Sequence, residues 1–284
     1  MSNTMFPKEE EKNYIKEREQ RLESVLRFNL LSDTFMSLCL KDKGACEHVL
    51  RTLTGVSDLN VKEVRTQERM VKLASHDAIL DVFAEDSKGQ FYNIEIQRSS
   101  SVDHAKRTRF YGAMIDSEML AKGKTYAELP DVYIIYISEK DIWKAGHTSY
   151  AVKKYFENTN MRYDDGKYVI YVNAEVDDGT ETAKLMQYFK TANPEDQSQG
   201  ALSERVRYLK FAEGGHEEMC EITDEIFHEG KAEGIAEGIE KGKIEQAQKT
   251  VIAMHQKGFD DAVIADILQA SLEQVKEWIP KAGN

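Results

Sequence analysis

Residues 78–97 read Ala78-Ile-Leu-Asp-Val-Phe-Ala, then the polar run Glu85-Asp-Ser-Lys-Gly, then Gln90-Phe-Tyr-Asn-Ile-Glu-Ile-Gln97. Two apolar runs separated by a short polar segment with a glycine predict a β-hairpin. Asp81 and Glu95 are set into these apolar runs, and a buried charge is unfavourable unless another group compensates it. The hairpin therefore predicts the position of a functional site.

The two carboxylates of this hairpin are predicted to meet. Side chains alternate between the two faces of a strand, so Glu95 and Gln97 share a face, while Asp81 lies in the middle of the partner strand. Two carboxylates at one point suit a hard cation such as Mg²⁺. The residues leave one alternative open, in which Asp81 pairs with a nearby Arg or Lys and Glu95 faces solvent.

The same residues carry a family resemblance. Asp81 and the later Glu95-Ile96-Gln97 resemble the Asp…Glu-x-Lys signature of the PD-(D/E)XK nuclease superfamily, with Gln in place of Lys. Segments 31–36, 107–111 and 126–137 and the Glu-Gly repeats near the end extend the similarity over about residues 30–245. Together they resemble the recombination-promoting nuclease and transposase branch of that superfamily.

The resemblance implies an α/β fold. It is the restriction-endonuclease-like α/β/α sandwich around a small mixed sheet, here with a helical C-terminal extension. The order of predicted elements agrees, because two short helices (32–41 and 43–54) precede three strands, a helix (101–122) and a buried strand (132–137).

The resemblance also implies a metal centre. Asp81, Glu95 and the backbone carbonyl of Ile96 are the implied ligands of Mg²⁺, for which Mn²⁺ can substitute, and Asp81, Glu95 and Gln97 form the implied catalytic set. Gln97 departs from the wider superfamily, because a Lys can stabilise developing negative charge whereas an amide is a neutral dipole. Hydrolysis is then slower, or the site takes a cation from elsewhere in the chain.

The predicted helix after the hairpin carries candidate phosphate contacts. Lys106, Arg107 and Arg109 are basic, and Tyr111 can donate a hydrogen bond or stack beside them. The alternative is that these residues are solvated surface groups or pair with acids such as Asp103.

Two acids on the predicted N-terminal helices are candidates for an accessory metal site. Asp33 and Glu47 are placed there by resemblance to nucleases in which an N-terminal acid completes such a site. Helix capping explains Asp33 at least as well.

The chain divides into four segments by composition. Residues 1–29 are a polar N-terminal helical segment, 30–227 hold the nuclease-like domain with its elaborations, 228–246 repeat Gly, Glu and Lys, and 247–284 form a small helical tail. The glycine repeat favours a homodimer through the C-terminal region or, equally, a helical linker. The tail resembles a helix-turn-helix, but its last helix lacks the basic face of DNA readers, which favours a protein contact or a folding role.

Net charge does not exclude DNA as a partner. The 284 residues carry a formal net charge of −12, which by itself opposes phosphate binding. Residues 60–124 hold 11 basic and 10 acidic side chains, however, whereas residues 125–284 hold 18 and 30. Three cysteines without metal-site spacing indicate a reducing, cytoplasmic setting, and no apolar run is long enough for a membrane helix.

The sequence therefore predicts a Mg²⁺-dependent endonuclease that hydrolyses phosphodiester bonds in DNA and is associated, through the resemblance, with recombination or transposition. A second hypothesis is a catalytically weak or silent member that binds DNA or protein, since Gln97 replaces a Lys and the second half is acidic. An RNA-directed nuclease is a third hypothesis.

Overall fold

The predicted hairpin is formed by strands β2 (Ala78–Asp86) and β3 (Phe91–Gln97) in a computed structural model of the chain. Its turn is closed by Asp86, whose Oδ1 accepts hydrogen bonds of 2.9 Å from two backbone N–H groups of the turn. Gly89 has a left-handed φ of 78°, which residues with a side chain rarely adopt. The polar run thus encodes a tight reversal that aligns the two carboxylate-bearing strands.

The structure describes residues 26–70, 78–97, 103–219, 246–268 and 271–279. The chain divides into two compact units, residues 1–219 and 220–284. Residues 1–25 of the predicted N-terminal segment 1–29 and residues 228–245 of the glycine repeat lie outside the described residues, so the homodimer stays a prediction. Within those described ranges, no helix combines the length and apolar character needed to cross a membrane.

Six strands of the first unit form one mixed sheet in the order β1-β2-β3-β4-β6-β5. The remaining strands are β1 (Val61–Met70), β4 (Val132–Ser138), β5 (Ser149–Val152) and β6 (Lys167–Asn173). β3, β4 and β6 run parallel, whereas β1, β2 and β5 pair antiparallel with their neighbours. β4 is buried between two parallel neighbours, which explains why its apolar run does not alternate strictly.

Helices cover both faces of this sheet. They are α1 (Asp33–Leu40), α2 (Lys43–Thr54), α3 (His104–Met119), α4 (Glu181–Thr191) and α5 (Ala201–Phe211). On one face, Met114 and Ile115 of α3 pack with Phe83 and Ile134 of the sheet. Val82, which points to the opposite face, is fully buried as well, and α1 and α2 pack against β1 and β2. The predicted α/β/α sandwich is therefore confirmed.

Two strands differ from the sequence-based expectation. The sequence predicts the first strand only over residues 61–67, whereas β1 continues to Met70, because the charged residues of this edge strand hide its alternation. β5 was not expected at all, since its four residues lie at the other edge of the sheet and are at least partly exposed. Short edge strands bury too little apolar surface to leave a clear pattern in the sequence.

A buried lysine connects the start of the first unit to its later helices. Lys210 on α5 is only 2% exposed, and its Nζ donates to the carbonyl oxygens of Ala192 at 2.8 Å, Phe28 at 2.9 Å and Leu26 at 3.3 Å. Burial lowers the pKa of this ammonium. Its three carbonyl partners join residues 26–28 to the end of α4.

The described part of the second unit is a cluster of short helices. Residues 246–256 are helical and are followed by α6 (Asp261–Leu268) and α7 (Leu272–Trp278). Val251, Ile264 and Val275 form the core of this cluster. Helix α7 begins with a capping box, in which Ser271 and Gln274 each accept from the other's backbone N–H.

The two tryptophans of the chain lie in different units. Trp143 of the first unit meets the ring of Tyr171 edge-on, with 5.1 Å between ring centroids. Trp278 packs against the core of the second unit. Each unit therefore has one tryptophan in contact with its own packed side chains.

Candidate functional site

Asp81 and Glu95 face each other across the hairpin. Val82 pairs with Ile94, so the next position along the same register sets Asp81 opposite Glu95 on one face of the sheet. Oδ2 of Asp81 accepts the backbone N–H of Ile96 at 3.0 Å, and Oε1 of Glu95 accepts the backbone N–H of Asp81 at 3.4 Å. These bonds tie the two carboxylates to the opposing strands and fix their separation.

Burial opposes the negative charge of both groups. Glu95 is only 5% exposed, and desolvation followed by the charge of Asp81 raises the pKa of its carboxyl. Desolvation also raises the pKa of Asp81, with a smaller contribution from Asp33. A hydrogen bond of 2.9 Å from Asn93 Nδ2 to Glu95 lowers the pKa of Glu95, but it offsets only part of the rise in that pKa. The nearby charge of Arg107 lowers the pKa of Asp81 but does not offset the effect of burial, so a bound cation would add charge that compensates the pair.

Helix α3 places a basic residue beside this pair. Arg107 donates from Nη1 to Oε1 of Gln97 and from Nε to the hydroxyl of Tyr111 at 2.9 Å. Arg107 and Tyr111 are four residues apart and so lie on the same face of the helix. The hydroxyl of Tyr111 also interacts with Glu95 and lowers the pKa of its carboxyl. Polar contacts thus connect Gln97 through α3 to Glu95.

Gln67 on β1 is a residue of this site that the sequence did not indicate. It lies opposite Asp81, between the pairs Thr66–Val82 and Glu68–Leu80. Its φ of 53° is left-handed, which is uncommon for a residue other than glycine inside a strand.

The side chain of Gln67 hydrogen bonds the carboxylate of Asp81 and lowers the pKa of that group. Its Nε2 also donates to Oγ of Ser37 at 3.1 Å, and Ser37 Oγ donates to the backbone carbonyl of Asp81 at 3.0 Å. Backbone strain of this kind is concentrated at functional sites. Nothing in the local sequence distinguishes Gln67 from the other polar residues of β1.

These side chains surround one cavity of about 480 Å³. Its lining residues are Asp33, Gln67, Ile79, Asp81, Glu95, Ile96, Gln97, Arg107 and Tyr111. The structure therefore brings together Asp81, Glu95, Ile96 and Gln97 of the hairpin with Arg107 and Tyr111 of α3. Asp33, at the start of α1, is the one predicted accessory acid among them.

The other predicted site residues lie outside the cavity lining. Glu47 pairs with Arg51 at 2.7 Å and accepts the backbone N–H of Val61 at 2.9 Å, so its contacts join α2 to β1. Lys106 is exposed and lies 3.9 Å from Asp103.

Two further predictions concern Arg109 and Asp33. Arg109 is exposed on the same helix as Arg107. Ser32 occupies the N-cap position of α1 without a side-chain cap bond, while Oδ1 of Asp33 accepts the N–H of Thr34 at 2.8 Å. Asp33 therefore does not cap α1.

The donor set of the cavity suits a hard cation that keeps part of its water shell. Among the described residues, no three His, Cys, Asp or Glu side chains are grouped so that they can hold a metal. Glu95 supplies a buried carboxylate and Asp81 a half-buried one, and Mg²⁺ is commonly held by one or two carboxylates together with water and substrate oxygens. The residues present therefore fit such an ion and do not fit a closed structural zinc site.

Comparison with known families gives one result. A family model described as PD-(D/E)XK nuclease family transposase matches residues 48–220. The match includes the hairpin and α3, but it begins after Asp33 and Glu47 in the sequence. Neither the curated proteins nor the solved structures give a match.

Proposed function

The chain belongs to the PD-(D/E)XK nuclease family, and we propose that it is a metal-dependent endonuclease that hydrolyses phosphodiester bonds in DNA. The observation that carries the proposal is the pair Asp81 and Glu95, held opposite each other at a cavity open to substrate. Mg²⁺ is the proposed cofactor, with Mn²⁺ as a substitute. The transposase description of the family supports an association with recombination or transposition.

Asp81, Glu95 and the backbone carbonyl of Ile96 are the proposed metal ligands. The N–H of Ile96 points to Asp81, and the N–H and C=O groups of a strand residue lie on the same side of the strand. A bound divalent cation supplies charge neutralisation at the phosphate and lowers the pKa of water. It also relieves the repulsion between the two carboxylates, which is the energetic reason for it to bind here.

The remaining lining residues have proposed roles in positioning. Gln97 can accept from a donor with its carbonyl and donate to water with its amide. Tyr111 holds the Glu95 carboxylate in place through its hydroxyl. Gln67 and Ser37 hold Asp81 from the side of β1. Arg107 faces the cavity with a positive charge and is the proposed contact for a substrate phosphate.

Plasmid cleavage tests the assignment. Supercoiled DNA is incubated with wild type, Asp81→Asn and Glu95→Gln in Mg²⁺, Mn²⁺ or EDTA. Wild type is expected to nick and linearise the plasmid only with a divalent ion, and both variants are expected to lose at least about 10²-fold in rate. Equal cleavage by wild type and both variants, or cleavage that persists in EDTA, contradicts the proposed site.

Glu85→Gln is the matched control. Glu85 is a carboxylate of the same strand as Asp81, but it pairs with Lys62 at 2.7 Å and does not line the cavity. This variant is expected to cleave at the wild-type rate, so a general effect of removing a hairpin carboxylate is separated from loss of the site.

A second candidate function is a catalytically silent module that binds DNA. The observation that favours it is the neutral Gln97 at the cavity, because the charge of a Lys is missing at that position. Gel-shift and cleavage assays on the same preparation separate the two functions, since a silent module retains DNA binding but gives no products with either ion. Offering labelled RNA and DNA together distinguishes a nuclease that prefers RNA.

A further inference from the structure

The cavity has a positive charge near the place where the wider superfamily has a Lys. Gln97 is neutral, and Arg107 is the only Lys or Arg among the cavity-lining residues of the described chain. Its guanidinium bonds the side chain of Gln97 directly. Although it belongs to α3 rather than to β3, Arg107 therefore brings its charge to the end of the hairpin.

We propose that Arg107 is a catalytic residue whose guanidinium supplies the charge that Gln97 lacks, contacting the phosphate oxygens on which negative charge develops during hydrolysis. The inference rests on the proposed nuclease function and deepens it. Gln97 then has a different role from the one its position suggests, because it holds the guanidinium of Arg107 through its carbonyl oxygen.

The contacts of Arg107 leave part of its donor set available. Its hydrogen-bond partners are Gln97 and the Tyr111 hydroxyl, and the Tyr136 hydroxyl lies close to the guanidinium as well. A guanidinium has five N–H donors in a fixed plane, so these contacts leave donors for a phosphate.

The anchors of Arg107 are themselves held in place. Tyr136 is 1% exposed, and its hydroxyl lies 2.9 Å from Nδ1 of His104. Tyr111 is 6% exposed. Arg107 itself is exposed. The charge is therefore oriented by buried groups on one side and reachable by substrate on the other, which is the arrangement that electrostatic stabilisation of a transition state requires.

The reaction step is a hydrolysis. Water adds through its oxygen to phosphorus, and the bond from phosphorus to the leaving oxygen breaks with its electron pair. The proton that water loses passes to solvent, and solvent returns a proton to the leaving oxygen. The charge on the non-bridging oxygens rises along this path, and it is there that the donors of Arg107 act.

Variants that remove the positive charge of position 107 or move it to position 97 test the inference. Arg107→Gln is expected to lower kcat for plasmid or oligonucleotide cleavage on the order of 10²-fold or more. Gln97→Lys in the presence of Arg107 is also expected to be impaired, because two cations then compete for one space. The double variant Gln97→Lys/Arg107→Gln restores one cation and is expected to cleave at least about tenfold faster than Arg107→Gln.

Lys184→Gln and Arg107→Lys are the controls. Lys184 is exposed on α4, pairs with Glu181 at 2.7 Å and lies outside the cavity lining, so its variant is expected to retain the wild-type kcat. Arg107→Lys keeps the charge without the planar donor set and is expected to retain an intermediate kcat. Melting temperatures of all variants are compared with wild type to exclude misfolding.

DNA affinity gives a readout independent of turnover. It is measured by fluorescence anisotropy with Mg²⁺ in the inactive Glu95→Gln background, with and without Arg107→Gln. A catalytic role predicts a change in affinity of less than about fivefold beside the much larger loss of kcat. If the affinity instead falls as much as kcat/KM while kcat is unchanged, Arg107 is an anchor for substrate and the inference is wrong.

Two further outcomes decide the matter. If wild type cleaves DNA and Arg107→Gln cleaves equally well, or if the double variant recovers nothing, the inference fails while the nuclease assignment stands. If wild type cleaves neither DNA nor RNA with any divalent ion, the nuclease assignment and the inference that rests on it both fail.

Discussion

Glu95→Gln is expected to make the metal-free protein more stable while it abolishes cleavage. Burial and the charge of Asp81 raise the pKa of Glu95, so the folded protein binds this proton more tightly than the unfolded chain does. Stability contributed by the protonated form is therefore lost as pH rises from the unfolded pKa, about 4.3, through the folded pKa. At pH 8, close to the folded pKa of about 8, most of that stability has been lost, and the neutral amide does not undergo this loss.

The size of the effect follows from the position of Glu95. Each unit by which the folded pKa is raised corresponds to about 1.4 kcal/mol of stability, nearly all of which is lost once the pH reaches the folded pKa. Part of that gain is lost because the amide must still satisfy its own donors in a buried site. We expect a net gain of about 1–3 kcal/mol at pH 8, which for a chain of this size raises the melting temperature by roughly 3–10 °C.

The assay is thermal unfolding followed by circular dichroism in EDTA at pH 8 and pH 4. Glu95→Gln should melt above wild type at pH 8, and the difference should largely vanish at pH 4, where the carboxyl is protonated in the folded state. Glu47→Gln is the control of opposite sign, because Glu47 bonds Arg51 and the N–H of Val61, and it should lose about 1 kcal/mol. A lower melting temperature for Glu95→Gln at pH 8 would refute the account of the site as a destabilised carboxylate pair.

Three further predictions concern stability and metal binding. Addition of Mn²⁺ at a hundred times its Kd should stabilise wild type by about 2.7 kcal/mol at pH 8, but it should leave the stability of Asp81→Asn unchanged. Stability is measured by calorimetry, and an equal rise in the melting temperatures of both proteins contradicts the ligand assignment. Gln67→Gly should raise the unfolding free energy by about 1 kcal/mol by relieving the left-handed φ of 53°, yet weaken Mn²⁺ binding measured by titration calorimetry, and unaltered affinity would remove Gln67 from the site. Lys210→Met should cost about 2–4 kcal/mol in urea unfolding, because three carbonyl oxygens lose a buried donor; a loss below 1 kcal/mol would show that water replaces the ammonium.

The core of the fold could be predicted because its signals are local. The two apolar runs of the hairpin and the polar segment between them predict two antiparallel strands, and the register of that pairing sets Asp81 opposite Glu95. The apolar run of β4 indicates burial on both faces. The spacing of Arg107 and Tyr111 places them on the same side of a helix.

The rest of the site depends on contacts between distant segments. The sequence does not say which side of α3 faces the sheet, so the bond from Arg107 to Gln97 could not be foreseen. The approach of Gln67 and Ser37 to Asp81 requires β1 and α1 to pack beside β2, and the left-handed φ of Gln67 is a consequence of that packing. The sequence makes Glu47 and Asp33 equal candidates, but of the two only Asp33 lines the cavity.

The division of the two tryptophans between the units gives the protein a built-in pair of optical probes. Trp143 touches Tyr171 on the sheet, and Trp278 packs on the core of the helical tail. In a Trp278→Phe variant the fluorescence reports only the first unit, and in Trp143→Phe only the second. Denaturant titrations of the two variants then read each unit's midpoint separately. Coincident midpoints mean that the units unfold cooperatively, whereas separated midpoints mean that the tail unfolds while the sheet remains intact.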